Sequence, residues 1–286
     1  MKAIEFCRIL CPINFSDGSQ RTVEVASILA ATCNAELRLV HVVSDASRRR
    51  DAQRLIASLF ALTRMLPART RVSAALAYGD PSAEIIQHAR VMRADLIVLG
   101  SALPSAPDDV GTTIVADVAI HAGCPVLHVR AHLHPSLADT ARGFTEIVCC
   151  VDPVSDATTQ LDYAHALARH GDARVTLLTV VAAQEDSAPM RDATKGVDET
   201  RQVVHVSLTG SPGAEIVSLA EQLRADLIVI GTQDEKSPAP RLGSTTAHVM
   251  VNAACPVLIV PRSCANARRP SGLTAPMGTL QCSSAS

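Results

Sequence analysis

Aromatic residues are scarce in this chain of 286 residues, which contains no tryptophan, two tyrosines and four phenylalanines. Proteins that bind single-stranded nucleic acid without sequence preference stack the bases on aromatic side chains, which this chain mostly lacks. The formal net charge of −2 also argues against a general binder of polyanions. We therefore expect no nucleic-acid partner, and a core built from valine, leucine, isoleucine and alanine.

Long apolar runs and paired cysteines are lacking as well. No run approaches the roughly 20 residues of a membrane span, and residues 1–19 include no extended apolar stretch resembling a signal peptide. The nine cysteines are odd in number and follow neither disulfide-scaffold nor zinc-site spacing. We expect a cytoplasmic protein with reduced thiols and no membrane partner.

The chain does contain an internal repeat. Three pairs of segments resemble each other, namely 89–101 and 220–232, 121–129 and 252–260, and 7–17 and 145–156. The first two pairs share an offset of 131 residues, whereas Ile9 and Ile147 in the third pair are 138 residues apart. A period this long indicates two copies of one domain instead of a solenoid of short repeats.

Each copy alternates short apolar runs with segments of helical periodicity, which is typical of βαβ units and a parallel sheet. We predict four segments: a first domain over 1–131, a linker over 132–143, a second domain over 144–262 and a disordered tail over 263–286. The tail is rich in serine, alanine, glycine and proline.

Local patterns give narrower expectations. In the first domain we predict a loop over 100–111 and a helix over 112–121. In the second domain the polar segment 184–200 is expected to form a loop or a weak single helix. Ser16 and Ser19 follow the first strand and are expected to cap the first helix.

Cysteine and histidine residues are interpreted as structural. Cys124 and Cys255 each precede a last strand and are expected to pack as small hydrophobic residues. Adjacent residues on a strand point to opposite faces, so Cys149 and Cys150 are not expected to form a functional pair. His128, His132 and His134 lack a nearby array of carboxylates or thiolates, so we assign them to a solvated linker and predict no metal site.

Five short patterns carry a family resemblance, and four of them occur in the same order in both halves. These four are a Gly-x-Pro helix start, Ala-Asp-Leu-Ile-Val-hydrophobic-Gly, a downstream Gly-Ser/Thr, and Cys-Pro-Val-Leu. The fifth, a Pro-x-Asp/Asn-x-Ser type turn after the first strand, is complete only in the first half, and the second half has Cys-Val-Asp-Pro-Val-Ser there. Together they resemble the universal stress protein family in its tandem two-domain form. The resemblance covers about residues 5–130 and 144–261.

That resemblance implies an α/β fold with two tandem, doubly wound, Rossmann-like parallel sheets. Each would have five strands in the order 3-2-1-4-5, and the halves would pair through their last strands about a pseudo-twofold axis. One chain would then form an intramolecular pseudo-dimer, and two chains could pair further as a homodimer. Ligands of such sheets bind at the carboxyl ends of the strands where the strand order reverses.

The resemblance also implies a nucleotide site in the second domain, holding ATP or a related adenine nucleotide together with Mg²⁺. Its candidate residues are Asp152, Val180, Val181, Gly231, Arg241, Gly243, Ser244 and Thr245. Glycines and a helix N-terminus suit phosphates, because backbone N–H groups can then approach the anion closely. The spacing between the first and last glycine is one residue shorter than the family pattern, and Asp234 replaces the middle glycine.

The first domain departs further from that pattern. Asn14 stands where the acid belongs, Leu103 replaces the middle glycine, and ten residues separate Gly100 from Gly111. The loop between them also has no basic residue and contains Asp108 and Asp109, whose charges would repel phosphates. We therefore expect the first site to be degenerate.

The expected function is a stress-response binding and signalling module whose nucleotide occupancy alters its protein partners, which the sequence does not identify. One alternative is an interaction or scaffold protein of the same fold that needs no nucleotide. Another is a weak ATP hydrolase. The chain contains no Gly-x-Ser-x-Gly elbow, His-Glu-x-x-His or phosphate-loop lysine motif, so we predict no catalytic residues and no enzyme.

Overall fold

The computed structural model describes residues 4–44, 51–64, 70–101, 110–130, 143–152, 158–181, 203–232 and 241–266. The elements of the first half are β1 Arg8–Pro12, α1 Asp17–Thr32, β2 Glu36–Val43, α2 Ala52–Arg64, β3 Arg71–Tyr78, α3 Pro81–Met92, β4 Leu96–Ser101, α4 Val110–His121 and β5 Val126–Arg130. Those of the second half are β6 Glu146–Val151, α5 Thr158–Ala168, β7 Arg174–Val181, β8 Val203–Thr209, α6 Pro212–Gln222, β9 Leu227–Gly231, α7 Ser244–Asn252, β10 Val257–Val260 and α8 Ser263–Asn266.

All of these strands belong to one sheet of ten, in the order β3-β2-β1-β4-β5-β10-β9-β6-β7-β8. Within each half the strands are parallel and follow the order 3-2-1-4-5. The halves meet where β5 runs antiparallel to β10. The predicted α/β fold is therefore confirmed, and the two five-stranded sheets are continuous with each other.

The antiparallel junction decides where any sites can lie. Because β10 runs opposite to β5, the strands of the second half end at the edge of the sheet where those of the first half begin. The carboxyl ends of the two halves therefore lie along opposite edges of the ten-stranded sheet. Two crevices at strand-order reversals would be well separated and could carry different chemistry.

Helices cover both faces of the sheet, which explains why its central strands are apolar on both sides. Helices α1, α2 and α5 share one buried cluster with alternate strand residues. Helices α3, α4, α6 and α7 share the other. Cys149 lies in the first cluster and Cys150 in the second, as predicted for neighbours on a strand.

The buried cysteines behave as packing residues. Cys124 and Cys255 are both buried beside the last strand of their half. Burial raises the pKa of the Cys255 thiol to about 12. A thiol with such a pKa remains protonated at neutral pH, and the thiolate is the reactive form. The burial of both side chains, together with the raised pKa of Cys255, favours packing over redox chemistry.

Two arginines tie the halves together by side-chain to backbone hydrogen bonds. Arg169, just after α5, donates from Nη2 to the Ile4 carbonyl oxygen at 2.8 Å. Arg130, the last residue of β5, donates from Nη1 to the Ala253 carbonyl oxygen at 2.9 Å. Each arginine satisfies a carbonyl of the other half, so these contacts supplement the β5–β10 pairing.

Two boundaries differ from the sequence expectation. The predicted loop over 100–111 is too long, because β4 continues through Ser101 by pairing with β5 and α4 already begins at Val110. Residues 263–266 form the short helix α8, so they are not part of a disordered tail. The domain limits themselves stay predictions.

Some predicted segments lie outside the described residues, among them 132–142 of the linker, the segment 184–200 and residues 267–286. Among the described helices, none is both long enough and apolar enough to cross a membrane.

Candidate functional site

The carboxyl edge of the second half brings three strand ends together. Strand β6 lies between β7 and β9. Val151 pairs with Thr179 on β7, and continuing the β6–β9 register places it beside Gly231. The chain leaves β6 toward α5 on one face of the sheet and leaves β9 toward α7 on the other. A crevice between β6 and β9 is the position where this fold binds ligands.

Helix α7 begins at this crevice, and two hydrogen bonds connect its start to the end of β9 and the residue after it. The Thr246 hydroxyl donates to the Gly231 carbonyl oxygen at 2.7 Å, and the Gly243 N–H donates to the Thr232 carbonyl oxygen at 2.9 Å. The backbone ladder of the helix starts with the Ala247 N–H bonding to the Gly243 carbonyl. The N–H groups of the preceding turn therefore have no partner within the helix, and they carry the positive end of the helix dipole.

The structure brings the predicted site residues to this one edge. Asp152 follows β6 and is exposed, while Val180 is buried and Val181 is partly buried at the end of β7. Gly231 ends β9, and Gly243 is the N-cap of α7. Ser244 and Thr245 form the first turn of α7, and the side chain of Arg241 is exposed just before it. Their role in binding stays a prediction.

Two further residues at this crevice, Thr246 and Gln160, were not predicted from the sequence. Thr246 is 3% exposed and anchors α7 through its hydroxyl. Gln160, in the first turn of α5, lies over Gly231, since a Cβ added to that glycine would lie 3.0 Å from Gln160 Nε2. The repeat offsets pair them with Val115 and Thr22 of the first half. Both positions therefore change residue type between the halves, and this difference could have identified them.

At the first crevice, the side-chain oxygen of Asn14 already has three hydrogen-bond donors. Its Oδ1 accepts hydrogen bonds from the Ser16 N–H at 3.1 Å, the Ser16 hydroxyl at 2.7 Å and the Ser19 hydroxyl at 2.8 Å. Ser16 occupies the predicted N-cap position, but its side chain makes no cap hydrogen bond to the helix backbone. The serines therefore bind Asn14, and the expectation that they cap α1 through their hydroxyls is wrong.

Two rings lie beside that asparagine. Phe15, with a φ of 57°, packs on His41 with ring centroids 4.8 Å apart. His41 is buried on β2, and its Nδ1 lies 2.8 Å from the Ile13 carbonyl oxygen, to which it donates. In the second half, Thr179 occupies the place of His41 and bonds to His205 with 3.2 Å between Oγ1 and Nε2. A ring contact in the first half thus stands where the second half has a hydrogen bond made by a buried threonine.

The helix after strand four, whose N-terminus would face phosphates, also begins at a different place in each half. With the 131-residue offset, the start of α4 at Val110 corresponds to Arg241, three residues before α7 begins at Ser244. Gly111 therefore lies inside the first turn of α4, whereas Gly243 caps α7. Gly111, predicted as the last residue of a loop before a helix over 112–121, is therefore helical in the first half.

The aspartates of the Ala-Asp-Leu-Ile-Val pattern lie at the other end of the strands. Asp95 Oδ2 accepts from the N–H groups of Cys7 and Arg8 at 3.0 and 2.9 Å. Asp226 accepts from the Thr145 N–H and hydroxyl at 2.7 and 2.8 Å and from the Glu146 N–H at 3.1 Å. These carboxylates join the start of strand four to that of strand one, and they are structural.

The histidine assignment needs a correction. His128 is not part of a solvated linker, because it lies on β5 and is 2% exposed. His132 and His134 lie outside the described residues. Within the part of the chain that the structure describes, no three histidine, cysteine, aspartate or glutamate residues are grouped closely enough to hold a metal ion.

The start of α7 at the second crevice has groups that suit a nucleotide polyphosphate. The first turn of α7 presents N–H groups next to a glycine at a strand end, and the exposed Arg241 contributes a positive charge nearby. The Gln160 Oε1 atom is buried and has no hydrogen-bond partner; as an acceptor it could pair with a hydroxyl or amine of a nucleotide, not with a phosphate oxygen. For Mg²⁺, Asp152 offers one carboxylate, and phosphate oxygens would have to complete the coordination.

Comparison with solved structures shows the fold. The chain is similar to a universal stress protein from Archaeoglobus fulgidus DSM 4304, with a TM-score of 0.70 and 17% identity over 91% of this chain and 98% of that one. It is also similar to a protein of Pseudomonas aeruginosa PAO1 of unknown function, with a TM-score of 0.60 and 18% identity over 91% and 95% of the two chains.

Comparison with known sequences identifies the family. The chain is 37% identical over 89 residues to universal stress protein MJ0531 of Methanocaldococcus jannaschii. That match covers 30% of this chain and 52% of the relative, so the chain spans about half the length of the relative. The profile of the Universal stress protein family matches residues 5–130 and 190–261, which is more than half of the chain. The chain therefore belongs to the universal stress protein family.

Proposed function

We propose that the protein is a cytoplasmic stress-response module that binds an adenine nucleotide, ATP with Mg²⁺ in first place, at the carboxyl edge of its second half. The observation that carries the proposal is the start of α7. Its first-turn N–H groups precede the helix ladder, and Thr246 fixes this turn on the Gly231 carbonyl. Preorganised N–H groups at a helix N-terminus bind phosphates without a rearrangement.

Each candidate residue has a role consistent with its position. The N–H groups and hydroxyls of Ser244 and Thr245 would donate to phosphate oxygens, and Arg241 would offset their charge. Asp152 follows β6, next to the end of β7, where its carboxylate would accept from ribose hydroxyls or face Mg²⁺. Val180 and Val181 would contact adenine by apolar and backbone groups, since no aromatic residue is among the predicted ligands of this site.

When bound, Mg²⁺ would neutralise charge on the phosphate oxygens. The residues of this chain would bind and orient the nucleotide, and we assign none of them a step in hydrolysis. Nucleotide occupancy would then change the surface that protein partners contact. A homodimer of chains would extend the same signalling role, although the role does not require one.

The second candidate function is an interaction protein that needs no nucleotide. It is favoured by Asp234, which stands where ATP-binding members have their middle glycine. Thermal shift with ATP and Mg²⁺ separates the two. A ligand at 100 times its Kd stabilises the folded state by about 2.7 kcal/mol, so no shift at millimolar ATP would favour the interaction protein.

The sharpest test removes one N–H group and leaves the helix intact. Proline is tolerated at the first position of a helix, and Gly243 before it already has φ −65° and ψ 150°, which suits a residue preceding proline. Ser244→Pro should weaken ATP binding about tenfold or more, because it deletes a hydrogen bond to a charged group. Ser244→Ala, which retains the N–H, should weaken binding less.

Isothermal titration of the full chain provides the measurement, with circular dichroism and the unfolding midpoint as checks that α7 persists. Equal ATP affinity in the wild type and Ser244→Pro would contradict the site. Tight binding in the wild type with loss only in Ser244→Ala would assign the contact to the hydroxyl instead of the backbone.

A further inference from the structure

A second polar cluster lies at the junction of the two halves, away from the proposed nucleotide site. It consists of Ser101 at the end of β4 and of His128 and Arg130 on β5. The register pairs Ser101 with Arg130 and Leu99 with His128, so all three side chains lie on one face of the sheet. The Ser101 Oγ atom lies 2.7 Å from His128 Nε2.

Two nitrogens of this cluster are buried without a partner. His128 Nδ1 and Arg130 Nε both lack a hydrogen bond although neither atom is accessible to solvent. Such groups cost free energy unless something pairs with them. His128 is 2% exposed, so bulk water does not satisfy its free nitrogen.

The charge of the cluster is also unbalanced. Arg130 is partly buried, and its Nη1 donates to the Ala253 carbonyl oxygen at 2.9 Å. Within the described ranges, no carboxylate lies within 4.0 Å of this guanidinium. Burial lowers the pKa of Arg130, and burial together with Arg130 lowers the pKa of His128 to about 3. A neutral histidine and a cation without a counter-ion thus lie side by side.

Packing does not explain these residues. The equivalent positions in the second half, at the 131-residue offset, are Thr232, Ile259 and Pro261. Ile259 is fully buried in the core cluster beside β5. The fold therefore accepts an aliphatic residue where His128 stands and needs no cation where Arg130 stands.

We propose that Ser101, His128 and Arg130 form a binding site for a small anion at the junction of the halves. The Ser101 hydroxyl donates to His128 Nε2, which places the imidazole proton on Nδ1. The Nδ1–H and the Arg130 Nε–H then both donate to the anion, and the guanidinium supplies the opposite charge. A phosphate, a chloride or a small carboxylate has the acceptor atoms and charge that this site lacks.

The test is a titration of the full chain with sodium phosphate at constant ionic strength, followed by the unfolding midpoint. The wild type should show a saturable rise, which Arg130→Met should abolish, or at least shift to about tenfold higher phosphate. Arg71→Met is the matched control, because Arg71 also donates to one backbone carbonyl, that of Asn34 at 3.0 Å, but is exposed. It should leave the rise unchanged.

Line broadening in ³⁵Cl NMR gives an independent readout that does not depend on stability. Wild-type protein should broaden the chloride signal, and added phosphate should reduce the broadening because it displaces chloride from the site. If Arg130→Met fails to fold, His128→Ile serves instead, because it installs the residue of the second half, and it should also lose the broadening. No excess broadening in the wild type, or equal broadening in wild type and variant, would overturn the proposal.

A further experiment distinguishes two possible occupants of the site, a free anion and a carboxylate of the chain itself. Asp108 and Asp109 are close to Ser101 in the sequence and lie outside the described residues. An unchanged phosphate response in a variant with both residues replaced by asparagine supports a free anion. A response that appears only in that variant would overturn the proposal, because the site would then be taken by the protein itself.

Discussion

The two halves share one strand order and one buried aspartate at the start of strand four, yet their carboxyl edges differ. In the second half, Gly243 caps a helix whose first turn is fastened to Gly231 by Thr246. In the first half, the corresponding helix begins three residues earlier, and a buried valine, Val115, replaces the threonine. Duplication preserved the parts that hold the sheet together and altered the parts that would meet a ligand.

The residues that follow the first strand of each half also differ. Asn14 accepts three hydrogen bonds from nearby serines, and Phe15 packs on His41 beside it. Asp152, the corresponding residue of the second half, has a carboxyl side chain and is exposed. Among the described residues, the Asn14 oxygen at the first crevice accepts three hydrogen bonds, whereas the Gln160 Oε1 atom at the second is buried without a partner. Polar groups left unpaired at a crevice are the ones that a ligand can satisfy.

The largest expected effect concerns how closely the first helix packs on strand four. A methyl group added at Gly100 would overlap the Thr22 hydroxyl, which is buried and bonded to the Gly18 carbonyl. Gly100→Ala should therefore lower the free energy of unfolding by about 2–3 kcal/mol. At Gly231 the added methyl meets only the end of the flexible Gln160 side chain, so Gly231→Ala should cost less than about 1 kcal/mol.

Guanidinium unfolding of both variants measures this asymmetry. Thr22→Ala removes the clashing hydroxyl, so in combination with Gly100→Ala it should recover part of the loss. If both glycine variants cost the same free energy, or if Thr22→Ala rescues nothing, the two crevices are packed alike and the comparison fails.

A smaller effect is expected at the anchor of α7. Thr246→Val makes the second half resemble the first and deletes the hydrogen bond to the Gly231 carbonyl. It should cost about 1 kcal/mol of stability and weaken ATP binding, because the first turn loses its fixed position. Thr246→Ser, which keeps the hydroxyl, is the control. Equal ATP affinities in the valine and serine variants would show that the anchor does not matter for binding.

The smallest effect is a pH dependence at the amino edge of the sheet. Glu146 occupies the place of Arg8, whose guanidinium lies 3.7 Å from Asp95. Burial raises the pKa of Glu146, with a further rise from the charge of Asp226, and burial also raises the pKa of Asp226. A carboxyl with a raised pKa holds its proton more tightly in the folded state. The free energy of unfolding therefore gains a contribution as pH falls from the raised folded values toward the ordinary 4.5 and 3.8.

Glu146→Gln removes one of these groups and should reduce that gain by a few tenths of a kcal/mol, since Glu146 is partly solvated. Unfolding free energies at several pH values, taken as the difference between wild type and variant, isolate the effect from the other carboxyls. A difference that does not change with pH would mean that Glu146 titrates normally in the folded protein.

Much of the fold follows from local sequence patterns and the repeat. The apolar runs at the sequences DLIVL and DLIVI predict buried parallel strands because β-branched residues line both faces of β4 and β9. The 131-residue offset also predicts that both halves share one architecture. The strand order came from the family resemblance, since periodicity alone does not say which strands are neighbours.

The details of the site were harder to predict. Gly111 matches Gly243 in type, but α4 begins before it, because helix starts depend on tertiary contacts as well as on capping residues. Thr246 and Gln160 carry no motif of their own. Their importance comes from distances to Gly231 that only the folded chain defines. The burial of His128 was not predicted because this residue was grouped with His132 and His134 of the linker, although it lies on β5.

Equilibrium dialysis of the full chain with labelled ATP and Mg²⁺ tests the central claim, the inequality of the halves, most directly. The account predicts one ATP per chain, greatly weakened by Ser244→Pro at the second crevice and unchanged by Asn14→Ala at the first. Two ATP molecules per chain, none, or a single one that is lost with Asn14→Ala and kept with Ser244→Pro would contradict it.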